Sequence, residues 1–229
     1  MTKVFLGELI GTFILVFIGC GTVGLEILFQ TFGSLYLIAL MWSLGVALAI
    51  FSSRKLSGAH LNPAVSLWVY LEKGINTKRL FIDFLAQFLG AFIAAFMLFL
   101  LLKSHMVNYD ENTAKMFGEF YSTTTLKAFS FELLGTLFLL SGIAVITSRI
   151  KPKNLHPILI GLVVGFAIIV VAPYTQCGIN PARDLAPRLF SYFAGWGNQA
   201  FSQSFLLVYV LAPFSASILF YLLKRLTKF

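Results

Sequence analysis

Charge is what this chain lacks most: only 11% of its 229 residues are Asp, Glu, Lys or Arg, where a soluble domain carries about 25%. Too little polar surface remains to face water all round, which excludes an ordinary soluble globular protein. Acids are the scarcer sign, nine against seventeen basic residues. The resulting charge of +8 invites a nucleic-acid partner. The bases, however, sit at the ends of apolar segments rather than on one face with interleaved aromatics, so no nucleic acid is expected. Cysteine is limited to Cys20 and Cys177, which excludes a disulfide framework. Histidine is limited to His60, His105 and His156. No second His or Cys stands at ligand spacing, so neither a metal nor a cofactor is expected. The sequence shows no nucleophile–base set and no phosphate loop, and the chain is not read as an enzyme.

What is abundant is apolar. Hydrophobic residues make up 59%, Phe alone numbers 25, and the mean hydropathy is +0.88. That composition belongs to a membrane protein whose Phe side chains face lipid or pack between helices. A span needs about 20 mostly apolar residues, and six segments qualify: 4–25, 34–51, 81–102, 129–147, 157–173 and 202–223. Two further stretches, 62–71 and 180–190, are too short to cross at about 1.5 Å per residue and read as re-entrant half-helices or core segments. The N-terminal run outlines a signal peptide, but Glu8 interrupts it and no small-residue cleavage site follows, so a retained first helix is expected. Gly7, Gly11, Gly45 and Gly90 suit close helix contacts in lipid.

Basic residues set the orientation. With the N-terminus inside, twelve lie on the inner side: Lys3, Arg54, Lys55, Lys73, Lys78, Arg79, Arg149, Lys151, Lys153, Lys224, Arg225 and Lys228. Five lie outside: Lys103, Lys115, Lys127, Arg183 and Arg188. Asp110, Glu111 and Glu119 collect in the long outer loop. Both termini are therefore expected in the cytoplasm and the chain in the cell membrane.

The two halves repeat. Glu8-Leu9-Ile10-Gly11-Thr12 matches Glu132-Leu133-Leu134-Gly135-Thr136, and Leu61-Asn62-Pro63-Ala64 matches Ile179-Asn180-Pro181-Ala182. Each half holds three spans, an odd number, so the second must be inverted relative to the first, which points to a midplane pathway. The expected organisation is one channel domain over 1–229: first repeat 1–103, outer connecting loop 104–128, second repeat 129–229. Glu8 and Glu132 admit two readings, a proton relay or a carboxylate accepting from re-entrant backbone; one acid per half and one loop per half favour the second.

Asn is a favoured N-cap and Pro a favoured first helical residue, so each Asn-Pro-Ala reads as the start of a short helix. Two such N-termini meeting at the membrane centre each carry about half a positive charge and repel cations, including hydronium. With each side-chain oxygen held in the cap, the amide N–H groups of Asn62 and Asn180 are free to donate into a lumen. The preceding stretches, with Gly58, Ala59 and His60 in one and Gln176 and Gly178 in the other, are expected to be extended and to present a ladder of carbonyl acceptors.

With Ser57-Gly58-Ala59-His60-Leu61-Asn62-Pro63-Ala64-Val65 and Asn180-Pro181-Ala182-Arg183, the chain resembles the major intrinsic proteins, the aquaporins and aquaglyceroporins, over essentially its whole length. The resemblance implies an all-α, right-handed fold of six transmembrane helices plus two half-helices, one pore per subunit, and a homotetramer in the bilayer. It also implies an outer selectivity filter of Trp42, Ile168, Cys177 and Arg183. Arg183 would donate to solute oxygens and repel cations there; the competing reading is a structural salt bridge. Trp42 matches glycerol facilitators, as does Asp184, which is expected to brace the outer loop. Ile168 and Cys177 depart from that pattern and bring the filter nearer to nodulin-like and some archaeal members. Glycerol and similar polyols, water, urea, ammonia and neutral metalloid acids are the expected solutes. A predominantly water-selective pore is the alternative, and a coupled secondary transporter a rival that would need a chain of midplane ionisable groups.

Overall fold

The computed structural model describes residues 1–227; Lys228, counted above among the inner bases, lies outside the described residues. Among those described, all regular structure is helical: α1 (Thr2–Phe29), α2 (Leu35–Ser53), α3 (Pro63–Lys73), α4 (Thr77–Leu102), α5 (Glu111–Ala114), α6 (Thr125–Arg149), α7 (His156–Thr175), α8 (Pro181–Ser191) and α9 (Leu206–Thr227). Six of these, α1, α2, α4, α6, α7 and α9, are long and apolar enough to cross a membrane. With six crossings both chain ends return to one face.

Several helices begin where a side chain takes up orphan N–H groups. Ser34 accepts from Tyr36 N, Asn76 from Arg79 N and Thr124 from Lys127 N. The long helices keep their large apolar residues outward, as Tyr36, Leu37, Leu40, Leu44 and Leu48 of α2 do, toward lipid rather than water. Their inner faces carry small residues, which lets backbones approach closely. A Cβ on Gly90 would stand 2.3 Å from the Leu9 carbonyl oxygen, and one on Gly161 2.3 Å from that of Ser43. These two crossings, α1 on α4 and α2 on α7, hold the two sides of the bundle together.

Several expected spans differ at their ends. The first continues to Phe29 because the Glu26 carboxylate accepts the N–H groups of Phe32 and Gly33 at 2.8 and 3.1 Å, closing the helix end beyond residue 25. The fourth starts at Thr125, behind the Thr124 cap. The sixth starts at Leu206 rather than at 202: Gln203 is committed to Tyr121, accepting from its N–H at 2.8 Å and donating to its carbonyl at 2.9 Å. The outer loop is not a bare connector. It carries α5, capped by Asp110, whose carboxyl the Thr113 N–H holds below its usual pKa. It then turns inward, burying Met116, Phe117, Glu119 and Phe120.

Candidate functional site

The half-helices α3 and α8 are eleven residues each, about 16 Å long at about 1.5 Å per residue, half of a hydrocarbon core of about 30 Å. Their N-termini meet. Asn62 Oδ1 accepts from Ala64 N at 2.9 Å, and Asn180 Oδ1 from Ala182 N at 3.1 Å and Arg183 N at 3.3 Å, with Pro63 and Pro181 at the first helical positions. Each amide nitrogen then crosses to the other half: Asn62 Nδ2 donates to the Ile179 carbonyl and Asn180 Nδ2 to the Leu61 carbonyl, both at 2.9 Å. An amide NH2 has two hydrogens, so each Asn retains one uncommitted donor. Both line a single cavity of about 740 Å³ that also touches Trp42, Ile168, Cys177 and Arg183.

Around Arg183 the geometry is tight. Its guanidinium carbon stands 4.6 Å from the centre of the Trp42 ring, a cation–π approach. Nη2 pairs with the Glu119 carboxylate, and Nη1 has no hydrogen-bond partner among the described residues. The salt bridge weighed against a pore role is thus present, and one donor is left over. Asp184 Oδ1 accepts from Glu119 N at 2.7 Å and pairs with Arg188 at 2.8 Å. Arg188, almost fully buried, also donates to the carbonyls of Glu119 and Ala200. The outer loop is therefore tied to α8 through both of its strands of polar contact.

The chain matches the major intrinsic protein family over residues 1–223. It belongs to that family. It is 33% identical to the glycerol uptake facilitator protein of Haemophilus influenzae, over 93% of this chain and 88% of that one. It is 35% identical to human aquaporin-9, over 88% and 73% respectively. The crystal structure of the aquaglyceroporin from Plasmodium falciparum superposes with a TM-score of 0.89 at 30% identity, covering 97% of this chain and 95% of that one.

In this major intrinsic protein the stretches ahead of the two caps are not extended, contrary to the expectation above. Gly58, Ala59 and Leu61 have φ of 94°, 58° and 53°, and Gln176, Cys177 and Ile179 have φ of 59°, 69° and 40°. The cause is a carboxylate behind each stretch. Glu8 accepts from His60 N at 3.0 Å, Leu61 N at 2.7 Å and Gln87 Nε2 at 2.7 Å. Glu132 accepts from Gly178 N at 2.9 Å, Ile179 N at 2.6 Å and Thr175 Oγ1 at 2.5 Å. Gathering successive N–H groups onto one side forces left-handed residues into the chain, at a cost of about 1–3 kcal/mol for each non-glycine, and turns the carbonyls the other way.

Asp83 and Gln87 belong to no motif along the chain, and Glu119 reads there only as an acid of the outer loop. Asp83 is fully buried in α4, inside the third apolar span, and its signal was Arg79 four residues earlier, a helical pair spacing. Arg79 Nε donates to Asp83 Oδ1 at 2.6 Å and its Nη2 donates to the Ser57 carbonyl, while His60 Nδ1 lies 3.0 Å from Asp83 Oδ2. Ligand atoms of Glu8, His60 and Asp83 fall within 4.8 Å of one another, and these carboxylates accept from backbone, Gln87, Arg79 and His60. Asp83→Ala strips Arg79 and His60 of the carboxylate they share. Thermal unfolding of the purified protein is expected to show a loss of about 2–3 kcal/mol, and an unchanged midpoint would refute the clasp.

Proposed function

We propose that this chain is a passive channel for small uncharged solutes, glycerol and similar polyols together with water, and that it excludes protons and ions. The observation that carries this reading is the single cavity reaching from the caps of both half-helices to Arg183. The names of the relatives, glycerol uptake facilitator and aquaporin-9, support the same solute class. The uncommitted N–H groups of Asn62 and Asn180 donate to a passing hydroxyl at the centre. The carbonyls of Gly58, Ala59, His60, Gln176 and Gly178 accept from it, and the Arg183 guanidinium, which borders the cavity, donates at the outer constriction. Trp42 supplies a face for the carbon backbone, and Ile168 and Cys177 the remaining walls. Glu8, Glu132 and Asp184 hold the backbone that presents these groups. Two helix N-termini, each carrying about half a positive charge, set the barrier to cations.

Urea, ammonia and neutral metalloid acids fit the same chemistry. Inverted repeats 1–103 and 129–229 about the loop 104–128 account for the paired caps and paired carboxylates. Both termini are cytoplasmic in this reading, the protein resides in the cell membrane, and it works as a homotetramer. Proteoliposomes in glycerol, urea and sucrose gradients test it by stopped-flow light scattering. Fast, non-saturating glycerol entry with sucrose excluded is expected. Flux that follows a pH or sodium gradient refutes the channel.

Cys177 gives a chemical test of the filter. It borders the cavity, whereas Cys20 is fully buried and does not. A soft thiol takes mercury readily, so mercuric chloride is expected to cut wild-type flux about ten-fold or more and to leave Cys177→Ser conducting. Unblocked flux with Cys177 mercurated would remove this residue from the constriction.

A further inference from the structure

The Trp42 ring fills the space that Gly19 leaves by having no side chain. A Cβ added to Gly19 of α1 would lie 2.2 Å from Cη2 and Cζ3 of the Trp42 ring and 2.4 Å from Cε3. These are atoms of a rigid bicycle, unlike the flexible Met116 methyl that a Cβ on Gly24 would meet at 2.7 Å. Nor has α2 room to withdraw on its other side. A Cβ on Gly165 of α7 would fall 2.0 Å from Ser43 Oγ, next in sequence to Trp42, and one on Gly161 2.3 Å from the Ser43 carbonyl oxygen. The indole is thus bounded by Gly19 behind, by α7 through its own backbone, and by the Arg183 guanidinium 4.6 Å from its ring centre. Arg183 is in turn held by Glu119. Close-packed interiors transmit such displacements rather than absorb them.

We infer that Gly19 is a positioning residue for solute selection: its missing side chain is the recess that keeps the Trp42 ring back from the pathway and so admits solutes with a carbon backbone. The inference rests on the channel reading above. A methyl group at position 19 displaces the ring from this recess toward the Arg183 guanidinium and the cavity that both residues line. The constriction then narrows for a polyol while still passing single-file water.

Glycerol and water permeabilities of wild type, Gly19→Ala, Trp42→Ala and the double variant in proteoliposomes decide it. Wild type without passive glycerol flux defeats the channel reading itself. Given that flux, Gly19→Ala is expected to slow glycerol entry about ten-fold and water less than about three-fold. In the Trp42→Ala background, adding Gly19→Ala is expected to change neither permeability. Unchanged glycerol entry in Gly19→Ala overturns the inference. So does an equal loss of water and glycerol, or a further loss in the Trp42→Ala background. Should Gly19→Ala alone not fold, a folded and conducting double variant locates the clash at the indole, and a double variant that also fails overturns it.

Discussion

Glu132→Ala is expected to lose the folded channel or to retain it only marginally. The Glu132 carboxylate, fully buried, is the acceptor for Gly178 N, Ile179 N and Thr175 Oγ1. Truncation strands two backbone N–H groups where neither lipid nor packed side chains offer a substitute. Each stranded group costs about 1–3 kcal/mol, and the vacated volume adds to that. A total of about 3–6 kcal/mol lowers the unfolding midpoint by about 10 °C or more for a chain of this size. Size-exclusion profiles and thermal unfolding in detergent measure it. Glu132→Gln keeps one acceptor oxygen and is expected to fall between the two. The proton-relay reading predicts the opposite pattern, a stable Glu132→Gln protein whose flux no longer responds to a pH gradient. A Glu132→Ala protein as stable as wild type would sink the anchoring role. Glu8, with His60 N, Leu61 N and Gln87 on its carboxylate, is expected to behave alike in the other half.

Arg183→Val is expected to open the constriction to cations. Arg183 and Arg188 face Glu119 and Asp184 there, two positive groups against two negative. Removing Arg183 takes away the positive charge that borders the cavity and leaves the buried Glu119 carboxyl behind it without its partner. At about 4 Å and an effective dielectric of about 20, one unit charge shifts the energy of a passing cation by about 4 kcal/mol. Even a third of that raises conductance about ten-fold. Sodium or proton leak, followed with a potential-sensitive dye in proteoliposomes, reads it directly. Pairing the change with Glu119→Gln restores neutrality and is expected to suppress most of the leak, which separates the charge effect from the loss of packing against Trp42. The single variant also buries Glu119 without a partner, a cost of about 3–5 kcal/mol, so its unfolding midpoint is expected to drop and that of the double variant to recover. A single variant as ion-tight as wild type would leave the barrier to the half-helix N-termini alone.

The sequence by itself determined that the chain crosses a membrane six times, that two short helices start at Asn62 and Asn180, and that one acid accompanies each. These features are local. Hydropathy over about 20 residues and the capping preferences of Asn and Pro act within a few turns of chain, so they can be read along it. Helix ends were less legible, because side chains far off in sequence decide them. Gln203 holds Tyr121 across 82 residues and so delays the last helix.

Only the tertiary structure decided the rest. The reciprocal bonds from Asn62 to Ile179 and from Asn180 to Leu61 join residues 117 and 119 apart, and no pattern along the chain announces them. Glu119 looked like one more acid of a solvated loop until that loop folded inward onto Arg183. The segments expected to be extended took left-handed residues because a carboxylate from another helix drew their N–H groups to one side. The space that Gly19 leaves for Trp42 exists only where α1 crosses α2. In each case the deciding term is the satisfaction of a buried polar group, or the room beside a ring, supplied by a segment the sequence places elsewhere.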